Sequence, residues 1–275
     1  MGVLDGKAAI VTGSARGIGR ATAELLVSQG AKVLINDLDG DIAEQASGEI
    51  AGETAVFAGD LTKPGVPDQL VQKAVDSFGK IDIIVNNAGY TIDAPVHKMS
   101  DEQFQAMIDI HTVVPFRVIR AAAPHLREPA KKEREEGKEV FRKIVNVSST
   151  SGTFGNAGQA NYSAGKAGVV GLTKTIAKEW GQFKVNVNAV AFGFIDTRLT
   201  QAKVDENTME IGGEQVQLGI PEQMRQMASM LIPLGRPATP EEAAGGVFFL
   251  CTPWSNYVHG QTLHITGGLF GGMTG

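Results

Sequence analysis

Tyr162 and Lys166 stand one helical turn apart in NYSAGK, a stretch otherwise made of small side chains. A free tyrosine hydroxyl titrates near ~10, so it serves proton transfer at neutral pH only where a neighbour stabilises its phenolate. Side chains four residues apart share a helix face, which makes Lys166 the candidate neighbour. A second chemical feature lies near the start, where VTGSARGIGR sets Gly13, Gly17 and Gly19 between an apolar run and an amphipathic segment. Glycines at a strand-to-helix turn let the backbone approach a pyrophosphate, and the helix N-terminus offers unpaired N–H groups to its charge. The spacing here is GxxxGxG and departs from GxGxxG, so the pattern by itself also suits a plain tight turn. About 20 residues further on, where a dinucleotide's ribose is met in such folds, Asp37 can accept hydrogen bonds from the adenosine sugar. Asp60 can hold the adenine amine in the same way, although either aspartate alone could cap a helix or close a turn.

Positioning these groups requires strands and helices in strict alternation, and the chain has that rhythm. AAIVTG precedes an amphipathic segment over 17–29, KVLIND one over 40–51, and TAVFAGD one over 66–78. The pattern continues with IDIIVNNAG, a helix over about 101–126, KIVNVSS, a helix over about 159–180, KVNVNAV and a last strand near TLHIT. Seven strands with crossovers predict a doubly wound, mostly parallel sheet of Rossmann type with helices on both faces, in which ligands bind beyond the carboxyl ends of the strands. Residues 1–275 are expected to form one domain. Two segments break the rhythm. REPAKKEREEGKEVFRK, 127–143, reads as a solvated helix extension. Residues 197–235 show no strand period, carry Met209, Met224, Met227 and Met230, and read as a substrate lid, with a pair of core-completing helices as the alternative.

Composition narrows the classes of function. Net charge is −5, from 25 basic and 30 acidic residues without a basic stripe, which argues against a nucleic-acid partner. Cys251 is the one cysteine, so no intrachain disulfide forms, and no CxxC or His/Cys cluster suggests a metal. No run approaches the ~18–20 apolar residues of a membrane span, and the first residues lead straight into a buried strand. A soluble cytoplasmic protein is the expectation.

Taken together, TGSARGIG, NNAG at 86–89 and SS…YSAGK resemble the short-chain dehydrogenase/reductase family over nearly the whole chain. GQANYSAGKAGVVGLTK and LHITGG are most similar to its 3-oxoacyl-acyl-carrier-protein reductases and 3-hydroxyacyl-CoA dehydrogenases. The resemblance implies a catalytic serine at Ser149, thirteen residues before Tyr162, with Tyr162 and Lys166 as the tyrosine and lysine. Ser149 would donate to a substrate carbonyl as negative charge builds on it. Lys166 would also hold the nicotinamide ribose, and an oxidised nicotinamide would add a second cation near Tyr162. Bringing that phenol from ~10 to near 7 needs ~4 kcal/mol, within reach of two cations in a dry cleft. Cofactor contacts are implied at Gly13, Ser14, Arg16, Gly17, Ile18 and Gly19 in the glycine turn, and at Asp37 with Leu38 and Asp60 with Leu61. Asn87, Ala88 and Gly89 would line the adenosine side, and Ile195 and Thr197 would close on the nicotinamide amide.

Two positions depart from the family. Phe192 stands where Pro is usual, which puts an aromatic near the nicotinamide; His111 stands where the family has an Asn that helps hold a proton-relaying water. An imidazole there can still accept and donate hydrogen bonds. With its ordinary pKa of ~6.5 it would give activity an acidic limb, neutral His111 being the competent form. The implied activity is reversible hydride transfer between a nicotinamide cofactor and a 3-oxoacyl thioester. A hydroxysteroid or other bulky secondary alcohol is the alternative substrate, and a dinucleotide-binding scaffold silenced by His111 the alternative function. NAD is expected over NADP, because Asp37 repels a 2′-phosphate that Arg16 would attract. Small residues Ala160, Ala164, Ala167, Gly168 and Gly171 permit close packing of the catalytic helix, and the family pairs subunits there, so a homotetramer is expected.

Overall fold

β-Branched and aliphatic runs of four to eight residues form a seven-stranded sheet in which every pairing is parallel. The computed structural model describes residues 2–269 apart from 199, 202–207, 212, 213, 218 and 221. Strands β1 (Ala8–Val11), β2 (Lys32–Asp37), β3 (Thr54–Ala58), β4 (Ile83–Asn86), β5 (Arg142–Ser149), β6 (Val185–Phe192) and β9 (Thr262–Ile265) lie in the order β3-β2-β1-β4-β5-β6-β9. The order reverses between β1 and β4, so the sheet opens a crevice beyond their carboxyl ends.

Because strands of a parallel sheet are covered on both faces, they read as near-continuous apolar runs; β1 and β4 are buried at every position. One face packs against α1 (Gly17–Ser28), α2 (Gly40–Glu49) and α9 (Pro240–Cys251) through residues such as Leu26, Ala43 and Val247. The other packs against α3 (Val66–Phe78), α5 (Val114–Glu135) and α7 (Ala160–Trp180) through Leu70, Val118 and Ile176. A short α6 (Thr150–Phe154) leaves β5 directly. The doubly wound architecture expected from the alternation is the one found.

Three expectations are corrected. The helix expected over 101–126 is α4 (Asp101–Ile108), a π-helical stretch (Asp109–Val113) and α5 in one run that reaches Glu135. The charged segment therefore extends a helix as expected, but its last residues, Arg142 and Lys143, enter β5 and are buried. Arg142 is held there by two hydrogen bonds to Glu133, at 2.7 and 2.8 Å. Third, the segment 197–235 contains antiparallel strands, β7 (Thr208–Ile211) and β8 (Glu214–Gln217), before α8 (Glu222–Leu231). The missed signal was Gly212-Gly213 between two short polar–apolar runs, a hairpin pattern; those glycines, 202–207, 218 and 221 lie outside the described residues, as do the side chains of Met209 and Met224. Among the described residues no helix is long and apolar enough to cross a membrane.

Candidate active site

The glycine turn follows β1 because its backbone needs conformations closed to other residues. Gly13 and Gly17 have φ of 60° and 54°. A Cβ on Gly13 would lie 2.8 Å from the Ala88 Cα, and one on Gly19 would overlap the Gly13 carbonyl. Asn87 pins this turn to the end of β4: its side-chain amide donates to the carbonyls of Thr12 (3.0 Å) and Gly13 (2.9 Å). The Thr12 hydroxyl accepts from the Asn87 and Ala88 amides, both at 3.0 Å, a role not evident from the sequence. Helix α1 starts at this turn with neither a side-chain cap nor an acidic residue in its first turn. With no side-chain acceptor on its first turn, this helix start fits a pyrophosphate.

The other sequence-derived residues divide by what their side chains touch. Ser14 is buried, and its hydroxyl donates to Val11 O (2.7 Å) and accepts from Asn36 N (3.0 Å), so it braces the turn instead of facing a ligand. Leu61 likewise belongs to the core on the α3, α5 and α7 face of the sheet, and Ile18 packs against the core on the opposite face. Asp37 ends β2 and accepts from Leu38 N (2.9 Å) and Ala15 N (3.3 Å), which holds the carboxylate across from the turn, with Leu38 exposed beside it. Asp60 accepts from the Thr62 amide and hydroxyl at 2.9 and 2.6 Å. Arg16 pairs with Asp39 at 3.5 Å, not with Asp37.

Beyond β4 and β5 the chemistry-bearing side chains converge. Ser148 donates to the Lys166 carbonyl (2.8 Å) while the Lys166 ammonium donates to the Val147 carbonyl (2.8 Å), so β5 grips α7 at both ends of one residue. Helix α6 comes equally close, since a Cβ on Gly152 would lie 2.7 Å from the Lys166 Cβ. Asn161, also unnoticed in the sequence, fixes the neighbouring backbone: it donates to Ile92 O (2.9 Å) and Gln103 O (3.1 Å) and accepts from Tyr162 N (2.7 Å). The Lys166 ammonium then lies 5.6 Å from the centre of the Tyr162 ring, as the i, i+4 spacing implied. Ser149 hydrogen-bonds Tyr162 and also accepts from Ser151 N at 3.1 Å.

The ionisation of the pair differs from expectation. Burial pushes the Tyr162 phenol up to about 12, against the Ser149 hydrogen bond that lowers it, with the Asp93 carboxylate adding to the rise. Burial also brings Lys166 down to about 7. Desolvation disfavours both charged forms, and Lys166 is the one cation of the expected two that this chain supplies. Asp93 is itself held by Gln159 at 3.0 and 3.1 Å.

His111 sits in the π-helical stretch, whose extra residue per turn marks functional sites in many helices. Its ring meets Tyr162 edge-on, 4.9 Å between centres, and lies so close to Gly89 that any side chain there would overlap it. Nε2 is 2.7 Å from the Tyr90 carbonyl, and since a carbonyl only accepts, Nε2 carries the proton. Nδ1 is left as a buried acceptor with no partner among the described residues. Burial first, then the Lys166 charge, hold the imidazole well below its usual pKa, so the acidic limb expected near the free value is not supported.

At the end of β6 the expected aromatic is absent from the crevice. Phe192 continues the strand and packs into the core with Ile195, because that face of β6 is covered by α9. Ile195 bridges to Ala238, and Thr197 stands over Gly17, its Cγ2 3.8 Å from where a Cβ would be.

A family model described as enoyl-(acyl carrier protein) reductase matches residues 13–270. The 3-oxoacyl-(acyl-carrier-protein) reductase FabG of Thermotoga maritima is 38% identical over 97% of this chain and 98% of its own. The enzyme of the same name from Vibrio cholerae serotype O1 is also 38% identical, over 97% and 98%, and a 3-oxoacyl-(acyl-carrier-protein) reductase of Synechocystis sp. is 37% identical over 98% and 99%.

Proposed function

The chain belongs to the short-chain dehydrogenase/reductase family, and from that premise we propose that it is a nicotinamide-dependent reductase of 3-oxoacyl thioesters. The observation that carries this reading is the meeting of Tyr162, Lys166 and Ser149 at the carboxyl end of β5, across the crevice from an uncapped glycine turn. Relatives named as 3-oxoacyl-acyl-carrier-protein reductases over almost their full length support the substrate class.

A bound nicotinamide supplies the hydride. In the reducing direction Ser149 donates a hydrogen bond to the substrate carbonyl, and Tyr162 delivers its phenolic proton to the same oxygen. A phenol near 12 keeps that proton until charge develops on the carbonyl. Lys166, near 7, both holds and releases a proton at neutral pH, and its remaining N–H groups can take the ribose hydroxyls. His111 stays neutral, and Nδ1 accepts from the relay that resupplies Lys166. NAD(H) is the cofactor in this reading: Asp37 faces the glycine turn where a 2′-phosphate would come, and Arg16 is engaged by Asp39. Residues 1–275 act as one domain with 197–235 as its lid, in the cytoplasm, as a homotetramer paired through α7 and α5, where Ala160, Ala167, Gly171 and Phe116 are exposed.

Nicotinamide absorbance with an acetoacetyl thioester, run with NADH and with NADPH, tests the assignment. Turnover with NADH at the higher kcat/KM is expected. Turnover of a sterol panel but not of the thioester would overturn the substrate, and preference for NADPH would overturn the reading of Asp37.

A further inference from the structure

The loop after β6 is tied to itself through one hydroxyl. Thr200 Oγ accepts from Thr197 N (2.9 Å) and donates to the Ile195 carbonyl, while Thr200 N and Gln201 N donate to Thr197 O at 2.9 and 2.8 Å. Its base is fixed to the chain before α9, where Asp196 N donates to Ala238 O (2.8 Å) and Ala238 N to Phe194 O (3.1 Å). Among the described residues the far side is tied to the chain entering α8, where Ile220 N donates to Gln201 O (2.9 Å), and to α8 itself through Arg225. Arg225 Nη1 donates to Thr200 O (2.8 Å) and pairs with Asp196 at 3.3 Å, and Nε lies 3.6 Å from Glu222 on its own helix. The guanidinium is mostly covered, and it borders a groove of about 750 Å³ that also includes Asp196, Met230 and Thr239.

We propose that Arg225 is a positioning residue: it clips α8 to the Thr200 knot, so that the placement of this helix sets the placement of Ile195 and Thr197 over the glycine turn. The inference rests on the functional reading above for what Ile195 and Thr197 touch, but the clip itself is a property of the chain. A charge-assisted hydrogen bond to a carbonyl has a fixed direction, so displacing α8 pulls on Thr200 O, and through Thr197 N and Ile195 O on the two residues nearest the cofactor end. The contact to Asp196 is half-exposed and screened, so the carbonyl contact is the one that transmits position.

Hydrogen exchange of the protein without ligand tests the clip directly. In Arg225→Ala the amides of Thr197 and Gln201 should exchange at least ~10-fold faster, while the α7 amides keep their protection; local opening of this kind is resolved segment by segment. Arg225→Lys should restore part of the protection, and Asp196→Asn should leave it unchanged. Calorimetric titration with NADH then asks whether the clip reaches the cofactor. Arg225→Ala and Thr197→Ala should each weaken binding ~10-fold, and together no more than either alone, as coupled sites do. Unchanged exchange at Thr197 and Gln201, or losses that simply add, would overturn the proposal. A wild-type chain that binds no dinucleotide would instead overturn the functional reading, with the exchange result still deciding the clip.

Discussion

Two lysines buried in the same sheet sandwich, Lys143 at the amino end of β5 and Lys166 beside its carboxyl end, are 3% and 4% exposed. Neither ammonium touches a carboxylate in the structure described. Lys143 donates to Asn186 Oδ1 (2.9 Å), Ser255 Oγ (3.2 Å) and Asn256 Oδ1 (2.8 Å), one acceptor for each N–H. Lys166 has one acceptor among the described residues, the Val147 carbonyl, and the face of Tyr162. Burial depresses both, to about 8 and about 7. A perturbed pKa alone therefore does not mark the active lysine. The distinction is satisfaction: a saturated ammonium locks strands together, and one with N–H groups to spare can engage a ligand.

Replacing each lysine separates these roles most sharply. Lys166→Met should lower kcat by ~10²–10⁴-fold, the range for losing positioned acid–base function, and Tyr162→Phe should do the same. Lys143→Met should leave kcat within about twofold, since ordinary packing differences away from a site change little. Steady-state assays of the three variants decide it, and a Lys143 variant as inactive as the Lys166 one would erase the contrast.

Stability should sort the pair the other way. Lys143→Met leaves the side-chain carbonyls of Asn186 and Asn256 without their donor, a loss of about 1–3 kcal/mol for buried unsatisfied groups, read from urea unfolding. The pH dependence has a defined sign. Lys143 titrates at about 8 when folded and at ~10.4 when unfolded, so the unfolded chain binds more protons in between. Stability contributed by this group is thus lowest below about 8 and rises with pH from there toward ~10.4. Lys143→Met should flatten that part of the curve. Lys166 gives a rise of the same sign that begins lower, near 7.

The smallest effect concerns His111. With burial and the Lys166 charge holding the imidazole well below its usual pKa, the kcat profile from pH 5.5 to 9 should carry an inflection near 7 from Lys166, and His111→Asn should keep that inflection, with kcat reduced no more than about threefold. His111→Ala, which removes the acceptor altogether, should cost ~10-fold. An acidic limb present in the wild type and missing from His111→Asn would show the imidazole titrating after all.

Much of the fold was legible because its signals are local. Alternating β-branched runs and amphipathic segments determine a parallel sheet, and its seven strands coincide with those runs, whereas the β7–β8 pair does not. The Tyr162–Lys166 spacing and the glycines after β1 likewise act within a turn or two of chain, so type and spacing carry the chemistry. The charged run before β5 misled at its end, because Arg142 is buried by a partner nine residues back, Glu133. Ser14 and Phe192 were read as facing a ligand, yet neighbouring backbone and the cover of α9 turned them inward.

What the amino-acid sequence determined by itself was the architecture, the family, and the identity of the tyrosine, lysine and serine that meet at one sheet end. Which buried lysine is saturated, which ring nitrogen of His111 is left without a partner among the described residues, and that Arg225 reaches Thr200 were decided only by tertiary structure. Lys143 finds its acceptors 43, 112 and 113 residues away. Charge and hydrogen bonding depend on distance in space, and no pattern along the chain records which distant segments the packing of helices on the sheet will bring within 3 Å.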